Sequence, residues 1–376
     1  GAAMSEDIPE PDRIGGAPQP RQTPHLFGQD HAEALFLDAF NTGRLHHGWM
    51  LTGPRGVGKA TLAWKIARFL LATPEDEGMF APPPPTSLDV PDGPVPRRIA
   101  ALSEPRLFLL RRPYDEKAGR LKQDITVDEV RKMKNFFALS AADGGRRVAI
   151  VDSVDEMNPS AANALLKLLE EPPPKVTLLL ISHQPAKLLP TIRSRCRELR
   201  LGPLSPADLS DALTQAGGEV APEDRVALAE LAGGSVGEAF RMTNTEGLAL
   251  YTRVVNLFST LPRLDRPRAL ALAETGGARG AEATFELIVS LIDLFLARLA
   301  RAGTLGQALP EAAEGEAALI ARLSPDPWAA RHWADLAQTL GLRARRGKAG
   351  NLDPAALLMG MVLRPGETGA MLARPG

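Results

Sequence analysis

Short apolar runs alternate with amphipathic stretches along the first half of the chain. Runs typical of buried strands occupy residues 48–52, 107–110, 147–152 and 176–182, and RELRLGPL (197–204) adds a last short strand. Apolar positions recur at helical spacing within residues 31–43, 60–72, 125–140 and 160–172. Strands that alternate with helices predict an α/β domain with a parallel sheet that helices cover on both faces.

Two proline-rich stretches lack this periodicity. Residues 1–24 hold five prolines and little apolar content, which predicts a disordered or loosely attached lead-in. Residues 73–106 are proline-rich and interrupt the α/β domain at residues 25–203. We expect a flexible insertion there, because such composition gives little apolar surface to bury.

Beyond Ser205 the pattern contains helices only. Short helices with capping signals predict a small helical lid domain at residues 204–246. Longer apolar helices predict an all-α domain at residues 247–376. The sequence therefore predicts three folded domains after the lead-in.

Composition and charge exclude several classes of function. The 376 residues carry a net charge of −1, so any DNA contact must come from a local patch or from partner proteins. A single cysteine, Cys196, excludes an internal disulfide framework and any cysteine-based zinc module in this sequence. No apolar run reaches the roughly 18 residues of a spanning helix. We expect a cytoplasmic protein without a membrane partner.

The stretch GPRGVGKA (53–60) is a nearly complete phosphate-binding loop. Gly53, Gly58 and Lys59 match the pattern G-x-x-x-x-G-K-[ST], and the loop lies between a predicted strand and a predicted helix, as that pattern requires. The backbone N–H groups of such a loop, which here includes Gly56, bind phosphates, and Lys59 adds positive charge. The last position, which normally supplies a hydroxyl for magnesium, is Ala60.

Other positions around this loop bear on hydrolysis. Thr61 is the nearest hydroxyl and stays a candidate nucleotide-binding residue, although one helical step of about 100° should turn it away. Asp152 ends a buried strand, where a carboxylate holds magnesium or simply caps the next turn. Ser153 follows it, and Asp155 and Glu156 come later. We expect that this site can bind ATP or ADP but does not hydrolyse ATP. The sequence leaves open whether a nucleotide is bound and which one it is.

Three segments together closely resemble the bacterial clamp loaders of the AAA+ class, which belong to the DNA polymerase III holoenzyme. They are residues 46–71, residues 148–173 and residues 177–201. The helix SAANALLKLLEEPP and the turn SRC (194–196) are the most diagnostic pair. The resemblance is specific over about residues 25–245, and it implies an AAA+ α/β domain, a lid and an all-α collar domain at residues 247–376.

The resemblance also implies a role and partners. Clamp loaders are five-subunit partial rings that open a sliding clamp and place it on primed DNA during replication. Motor subunits hydrolyse ATP, whereas a stator subunit of similar fold supplies the arginine of its SRC turn to the ATP site of the adjacent motor subunit. Carried over, Arg195 is this arginine finger and Ser194 and Cys196 frame it. The implied partners are the tau/gamma motor subunits, the delta subunit, the beta sliding clamp and the backbone of primed DNA, in a replisome at the nucleoid.

Departures from the motor pattern favour the stator. Ala60 and Ser153 replace residues needed for hydrolysis, and Gly237 stands where motor subunits place a sensing arginine. Arg241 lies one helical turn further on. Many clamp-loader subunits carry a four-cysteine zinc module where this chain has its proline-rich insertion, so we expect no zinc and no other metal.

Two alternatives stay open. The chain could be an active AAA+ ATPase that uses Thr61 and a carboxylate at Asp155 or Glu156. It could instead be a nucleotide-bound scaffold in which Arg195 is an ordinary solvated charge. Basic residues near the sheet edge are candidates for contact with DNA phosphates or belong to a solvated face: Arg131, Lys132, Lys134, Arg146 and Arg147.

Overall fold

The computed structural model describes residues 19–75, 81–140 and 144–374. The chain divides into two compact units. The first comprises Gly1–Gly217 with Ser235–Gly237, and the second comprises Gly218–Gly234 with Glu238–Gly376. Each unit is described by itself.

A five-stranded parallel sheet forms the centre of the first unit. The strands of the chain are β1 (Gly48–Thr52), β2 (Leu107–Arg111), β3 (Tyr114–Asp115), β4 (Arg120–Leu121), β5 (Arg147–Asp152), β6 (Val176–Ser182) and β7 (Arg197–Arg200). The sheet order is β2-β5-β6-β1-β7, and every neighbouring pair is parallel. All residues of β1, β5 and β6 are buried, as expected for strands covered on both faces. The predicted α/β fold class is confirmed.

The first unit has seven α-helices among its described residues. They are α1 (Asp30–Asn41), α2 (Lys59–Ala72), α3 (Pro94–Ala100), α4 (Val127–Ser140), α5 (Pro159–Glu170), α6 (Pro190–Arg193) and α7 (Pro206–Gln215). Of these, α1, α2, α4 and α5 form where the apolar spacing predicted helices. The side chain of Asn158 caps α5 by accepting a hydrogen bond from Ala161 N at 2.9 Å. Leu165 of α5 is buried in a core cluster with Val130 of α4 and strand residues. Helices α4 and α5 thus share a hydrophobic core with the strands.

The proline-rich insertion is more ordered than the sequence indicates. Within residues 73–106, α3 packs near α2, and Leu88 and Ile99 are buried. The prediction of a flexible insertion is therefore wrong for the described residues 81–106, because two apolar anchors outweigh the surrounding prolines. Residues 76–80 lie outside the described residues.

The described end of the predicted lead-in is also attached. A 3₁₀ turn spans Pro20–Gln22, and Arg21 Nε donates to Ala100 O at 3.1 Å. Arg68 Nη1 lies 3.5 Å from Arg21 O. Loose attachment is therefore wrong for this turn, whereas residues 1–18 lie outside the described residues.

A small antiparallel hairpin follows β2 and was not predicted. Strands β3 and β4 pair through Tyr114 with Leu121 and Asp115 with Arg120. Each strand has only two residues, which is too short for an alternating pattern to show.

The second unit is built from helices. They are α8 (Arg225–Ala232), most of α9 (Val236–Asn244), α10 (Gly247–Phe258), α11 (Arg266–Gly277), α12 (Glu282–Leu305), α13 (Glu316–Leu323), α14 (Pro327–Ala349) and α15 (Pro354–Ala373). The structure groups α7 with the sheet and α8 with the later helices; the predicted domain boundaries at 203 and 246 stay predictions. No helix among the described residues is both long enough and apolar enough to span a membrane.

A buried polar network connects four helices of this unit. Arg298 of α12 donates to both carboxylate oxygens of Glu316, at 2.6 and 3.1 Å, and to Glu230 of α8 at 2.7 Å. It also donates to Pro310 O at 2.6 Å, and the Tyr251 hydroxyl donates to Glu316. Because each buried charge has several partners, the network fixes these helices in one arrangement.

Candidate functional site

The glycine loop joins the end of β1 to the start of α2. Gly53, Gly56 and Gly58 have φ angles of 143°, 76° and 111°, a region that side chains disfavour. A Cβ on Gly53 would lie 2.3 Å from Leu201 O, and one on Gly58 would lie 2.5 Å from Leu26 Cδ1. These glycines are required for both their backbone conformation and their close contacts.

The middle of the loop packs against the start of α9. Val236 N donates to Gly56 O at 2.6 Å. A Cβ on Gly56 would lie 2.2 Å from Ser235 Oγ and 2.9 Å from Gly237 N. Gly237, the position at which the resemblance implies a sensing arginine in motor subunits, therefore lies against the loop backbone. Arg241, one helical turn further on, pairs with Glu238 in the second unit.

Gly56→Ala should destabilise the first unit by about 2–4 kcal/mol, because a left-handed φ and a steric clash combine. The matched control is Gly43→Ala. Gly43 has a φ of 70°, and a Cβ there would meet nothing within 4 Å. We expect urea unfolding to give a loss of about 1 kcal/mol for that control. Equal losses in the two variants would show that the close approach at Gly56 is unimportant.

Lys59 is buried at the first position of α2, with 3% of its surface exposed. Its Nζ donates to Gly53 O and to Pro54 O, the latter at 2.7 Å. Burial lowers the pKa of Lys59 to about 8, and the positive charge of Arg55 acts in the same direction. A phosphate beside this amine would offset its desolvation, so the loop and Lys59 fit a phosphate group.

Asp152 lies at the end of β5, on the edge where the parallel strands of the sheet end, which we call the carboxyl edge. The negative charges of Asp155 and Asp152 oppose the lowered pKa of Lys59, so the loop and both carboxylates share one site. Ser153 is buried, and its Oγ has no hydrogen-bond partner among the described residues. Ala60 and Thr61 lie in the first turn of α2. These residues fit a nucleotide phosphate, but Ala60 lacks the hydroxyl that usually binds magnesium at this position.

The two carboxylates of the active-ATPase alternative are both engaged. Asp155 Oδ1 accepts from Ser182 Oγ at 2.8 Å, and Asp155 Oδ2 accepts from His183 N at 2.5 Å. Glu156 Oε2 lies 3.0 Å from Arg112 Nε, an ion pair without hydrogen-bond geometry. Burial raises the pKa of Glu156, an effect that the charge of Arg112 opposes. Both carboxylate oxygens of Asp155 are thus occupied by hydrogen bonds, and Glu156 is paired with Arg112.

His183 is a site residue that the sequence analysis missed. It directly follows β6 at the carboxyl edge, and its buried Nδ1 has no hydrogen-bond partner among the described residues. Burial lowers the pKa of His183 to about 4, the charges of Lys59 and Arg55 add to this, and Asp155 opposes it. Its position at the end of a buried strand, like that of Asp152, is the sequence signal that could have identified it.

Lowering the pH from 6.5 towards 4 should destabilise the first unit. Over this range the unfolded chain binds a proton at His183 while the folded chain, with its pKa of about 4, does not. The decrease in the free energy of unfolding is complete below pH 4 and amounts to at most about 3 kcal/mol. His183→Gln should flatten the pH dependence of urea unfolding, whereas His25→Gln, at an exposed histidine, should leave it unchanged. An unaltered profile in His183→Gln would contradict this assignment.

Arg195 lies in the turn between α6 and β7. Its Nη2 is 3.1 Å from Glu170 Oε1 at the end of α5, and its Nη1 donates to Thr191 O at 3.0 Å. The Ser194 hydroxyl donates to the same carbonyl at 3.1 Å and lies 3.5 Å from Arg195 Nη1. The structure thus joins the two segments, SAANALLKLLEEPP and SRC, that carry the resemblance.

Cys196 has a packing role next to Arg195. Burial raises the pKa of its thiol to about 12, so the thiol stays protonated at neutral pH. A Cβ on Gly48 would lie 3.4 Å from Cys196 Sγ and 2.9 Å from Leu169 Cδ2, so these three residues are close-packed. Among the described residues, no group of three or more His, Cys, Asp or Glu side chains is placed to hold a metal ion.

Arg195 and the glycine loop lie at opposite edges of the sheet. In the parallel pairing of β1 with β7, Trp49 aligns with Arg197 and Thr52 with Arg200. Arg195 therefore lies at the edge where the strands begin, the amino edge, whereas the loop follows the carboxyl edge. The five residues of β1 separate them by about 16 Å along the strand direction. The structure brings Lys59 and Asp152 together but keeps Arg195 away from them.

Two of the basic residues considered for DNA contact belong to the fold instead. Arg147 is buried and donates to Phe137 O and to Pro174 O, the latter at 2.8 Å. Arg146 Nε lies 3.2 Å from Glu75 Oε1, and burial lowers the pKa of Arg146. DNA contact is wrong for Arg147, because its guanidinium is enclosed, and Arg146 is largely engaged.

The other three basic candidates lie exposed on α4. Arg131 pairs with Asp128 at 2.9 Å and Lys132 pairs with Glu129 at 3.0 Å. Lys134 is exposed as well. For these residues, DNA contact stays a prediction.

The match to a known family lies within the first unit. Residues 28–205 match a family model described as DNA polymerase III, delta subunit. The chain is 39% identical to DNA polymerase III subunit delta' of Pseudomonas aeruginosa over 44% of this chain and 45% of that protein. It is 28% identical to subunit delta' of Bacillus subtilis over 62% of this chain and 65% of that protein. It is 30% identical to subunit tau of Escherichia coli over 74% of this chain and 41% of that protein.

The chain thus spans between two fifths and two thirds of these relatives' own lengths. The matched residues include the glycine loop, the helix α5 and the Ser-Arg-Cys turn. Residues 28–205 are therefore similar to the delta-subunit family of DNA polymerase III, in line with the clamp-loader resemblance of the motifs.

Proposed function

We propose that this chain is the non-hydrolysing stator of a clamp loader, in the manner of a delta' subunit. In this role it helps to load a sliding clamp onto primed DNA, and it supplies Arg195 to the ATP site of an adjacent motor subunit. The observation that carries the proposal is the placement of Arg195 at the amino edge of the sheet, away from the glycine loop of its own chain.

The position of Arg195 supports action on a second subunit. Its backbone lies beside Gly48 at the start of β1, so the side chain cannot reach phosphates on the loop that follows the end of that strand. Arginine suits a finger role because its charge is permanent and its planar fork matches phosphate oxygens. The side chain is 36% exposed and therefore accessible to a neighbouring chain.

The site at the carboxyl edge supports binding rather than hydrolysis. The loop N–H groups and Lys59 would hold the phosphates of ATP or ADP, whose negative charge would compensate the buried amine. Ala60 offers magnesium no hydroxyl, Ser153 offers no carboxylate, and Asp155 is held by Ser182 and His183. These contacts weigh against the active-ATPase alternative.

The proposed partners follow from the same role. They are tau/gamma motor subunits, a delta subunit, the beta sliding clamp and the backbone of primed DNA, in a cytoplasmic replisome at the nucleoid. Exposed cations on α4 are the candidates for phosphate contact in this chain. The helices of the second unit would pack with equivalent helices of the partners as a collar.

The test compares Lys59→Ala with Arg195→Ala in a reconstituted clamp loader. Primed-DNA-stimulated ATP turnover should fall with Arg195→Ala and stay unchanged with Lys59→Ala, provided that both variants assemble as the unaltered chain does. The isolated chain should show no turnover of its own. Turnover by the isolated chain that Lys59→Ala abolishes would instead establish an active ATPase.

A further inference from the structure

We propose that Glu170 is a positioning residue for Arg195, which it holds at rest until the phosphates of a neighbouring subunit displace it. This inference rests on the proposed function, because it presumes that Arg195 acts on another chain. In the structure the guanidinium already has two partners from its own subunit, the carboxylate of Glu170 at 3.1 Å and the carbonyl of Thr191 at 3.0 Å. Arg195 must give up at least part of this contact to reach outwards.

Buried neighbours fix the backbone on both sides of the pair. Leu169, directly before Glu170, is 2% exposed, and its carbonyl lies 2.7 Å from His47 Nε2. Cys196, directly after Arg195, packs within the same region of the core. The two backbone positions therefore cannot drift apart, so the distance between the charged groups depends on side-chain rotation alone.

The charged groups themselves are accessible. The side chains of Glu170 and Arg195 are 43% and 36% exposed, so water and ions screen their attraction. Such a pair is weak enough to exchange. A triphosphate offers several anionic oxygens that the planar fork can bind at once, which makes it the stronger partner.

This exchange gives Glu170 a definite kinetic effect. While Arg195 rests on Glu170, it is not available to the neighbouring nucleotide, so the resting contact competes with nucleotide engagement. The effect falls on the ATP concentration needed for half-maximal turnover. It does not fall on the maximal rate, which depends on Arg195 once it is engaged.

Glu170→Gln tests this in an assembly where only the adjacent motor subunit can hydrolyse ATP. This substitution keeps the side-chain shape and removes the charge. We expect the ATP concentration for half-maximal turnover to fall about two- to five-fold, the range an exposed ion pair supports, with the maximal rate unchanged. Glu170→Asp, which keeps the charge, should return the value towards that of the unaltered chain.

Glu171→Gln is the matched control, because Glu171 is the neighbouring exposed glutamate at the end of α5. It should leave both kinetic parameters unchanged. In the Arg195→Ala background, Glu170→Gln should also have no effect, since the residue it positions is absent.

The outcomes separate this inference from the proposed function. If Arg195→Ala lowers turnover but Glu170→Gln leaves half-saturation unchanged or lowers the maximal rate, the competing contact is refuted while the stator role stands. If Arg195→Ala itself has no effect, the proposed function fails first. An equal shift in Glu171→Gln would reduce the effect to net charge at this edge and would also refute the inference.

Discussion

Replacing Arg195 by alanine is expected to lower ATP turnover at one adjacent motor site by about 10³- to 10⁵-fold. An arginine finger stabilises the charge that develops on the transferred phosphoryl group, and loss of that contact raises the barrier by about 4–7 kcal/mol. The variant chain itself should fold normally, because its ion pair with Glu170 is exposed and adds little stability. The measurement is primed-DNA-stimulated turnover in an assembly whose other motor subunits are inactive.

Two further variants sharpen this result. Arg193→Ala removes an exposed arginine only two residues away and should leave turnover unchanged. Arg195→Lys keeps the positive charge but loses the planar fork, so it should recover only part of the rate. A large loss in Arg193→Ala, or none in Arg195→Ala, would remove the finger assignment.

Replacing Arg298 by alanine is expected to destabilise the second unit by about 3–5 kcal/mol. The substitution leaves the buried carboxylate of Glu316 without its bidentate partner, and an uncompensated buried charge costs far more than the original pair contributes. Glu230 and Pro310 O also lose a donor. The measurement is urea unfolding followed by the helical circular dichroism signal.

The control for this variant is Arg268→Ala. Arg268 makes an exposed ion pair with Asp265 at 3.5 Å in the same unit, and its loss should change stability by less than about 1 kcal/mol. Combining Arg298→Met with Glu316→Gln should restore much of the lost stability, since no buried charge is then unpaired. Similar unfolding of the Arg298 and Arg268 variants would show that the network contributes no more than a surface pair.

The central strands could be predicted from the sequence because burial leaves a local trace. Residues 48–52, 147–152 and 176–182 are continuous apolar runs between turns, and β1, β5 and β6 have these bounds. The glycine loop is equally local, because its positive φ angles and helix-opening lysine occupy fixed spacings.

Features that depend on distant partners left no such trace. Arginine is a residue type that usually lies at the surface, yet the guanidinium of Arg147 is buried and donates to the carbonyls of Phe137 and Pro174. Residues 81–106 resemble a linker by composition, although Leu88 and Ile99 anchor them. One or two long-range contacts decide each case, and a periodic pattern cannot reveal them.

In the candidate site, too, the sequence motifs indicated individual residues but not the contacts between them. Lys59, Asp152 and Arg195 were identified from motifs, whereas the engagement of Asp155 by Ser182 and His183 was not. The contact of Arg195 with Glu170 joins residues 25 positions apart. Only the fold shows that the carboxylates proposed for catalysis already have partners.

The opposite placement of Arg195 and the glycine loop gives the subunit a direction. If the proposed function holds, one edge donates an arginine and the other would accept one, so like chains could only associate head to tail. A chain that donates its arginine but cannot hydrolyse ATP at its own site would not be equivalent to the other subunits of the partial ring. It would therefore occupy one fixed position in that ring, and the order of the other subunits could be assigned from it.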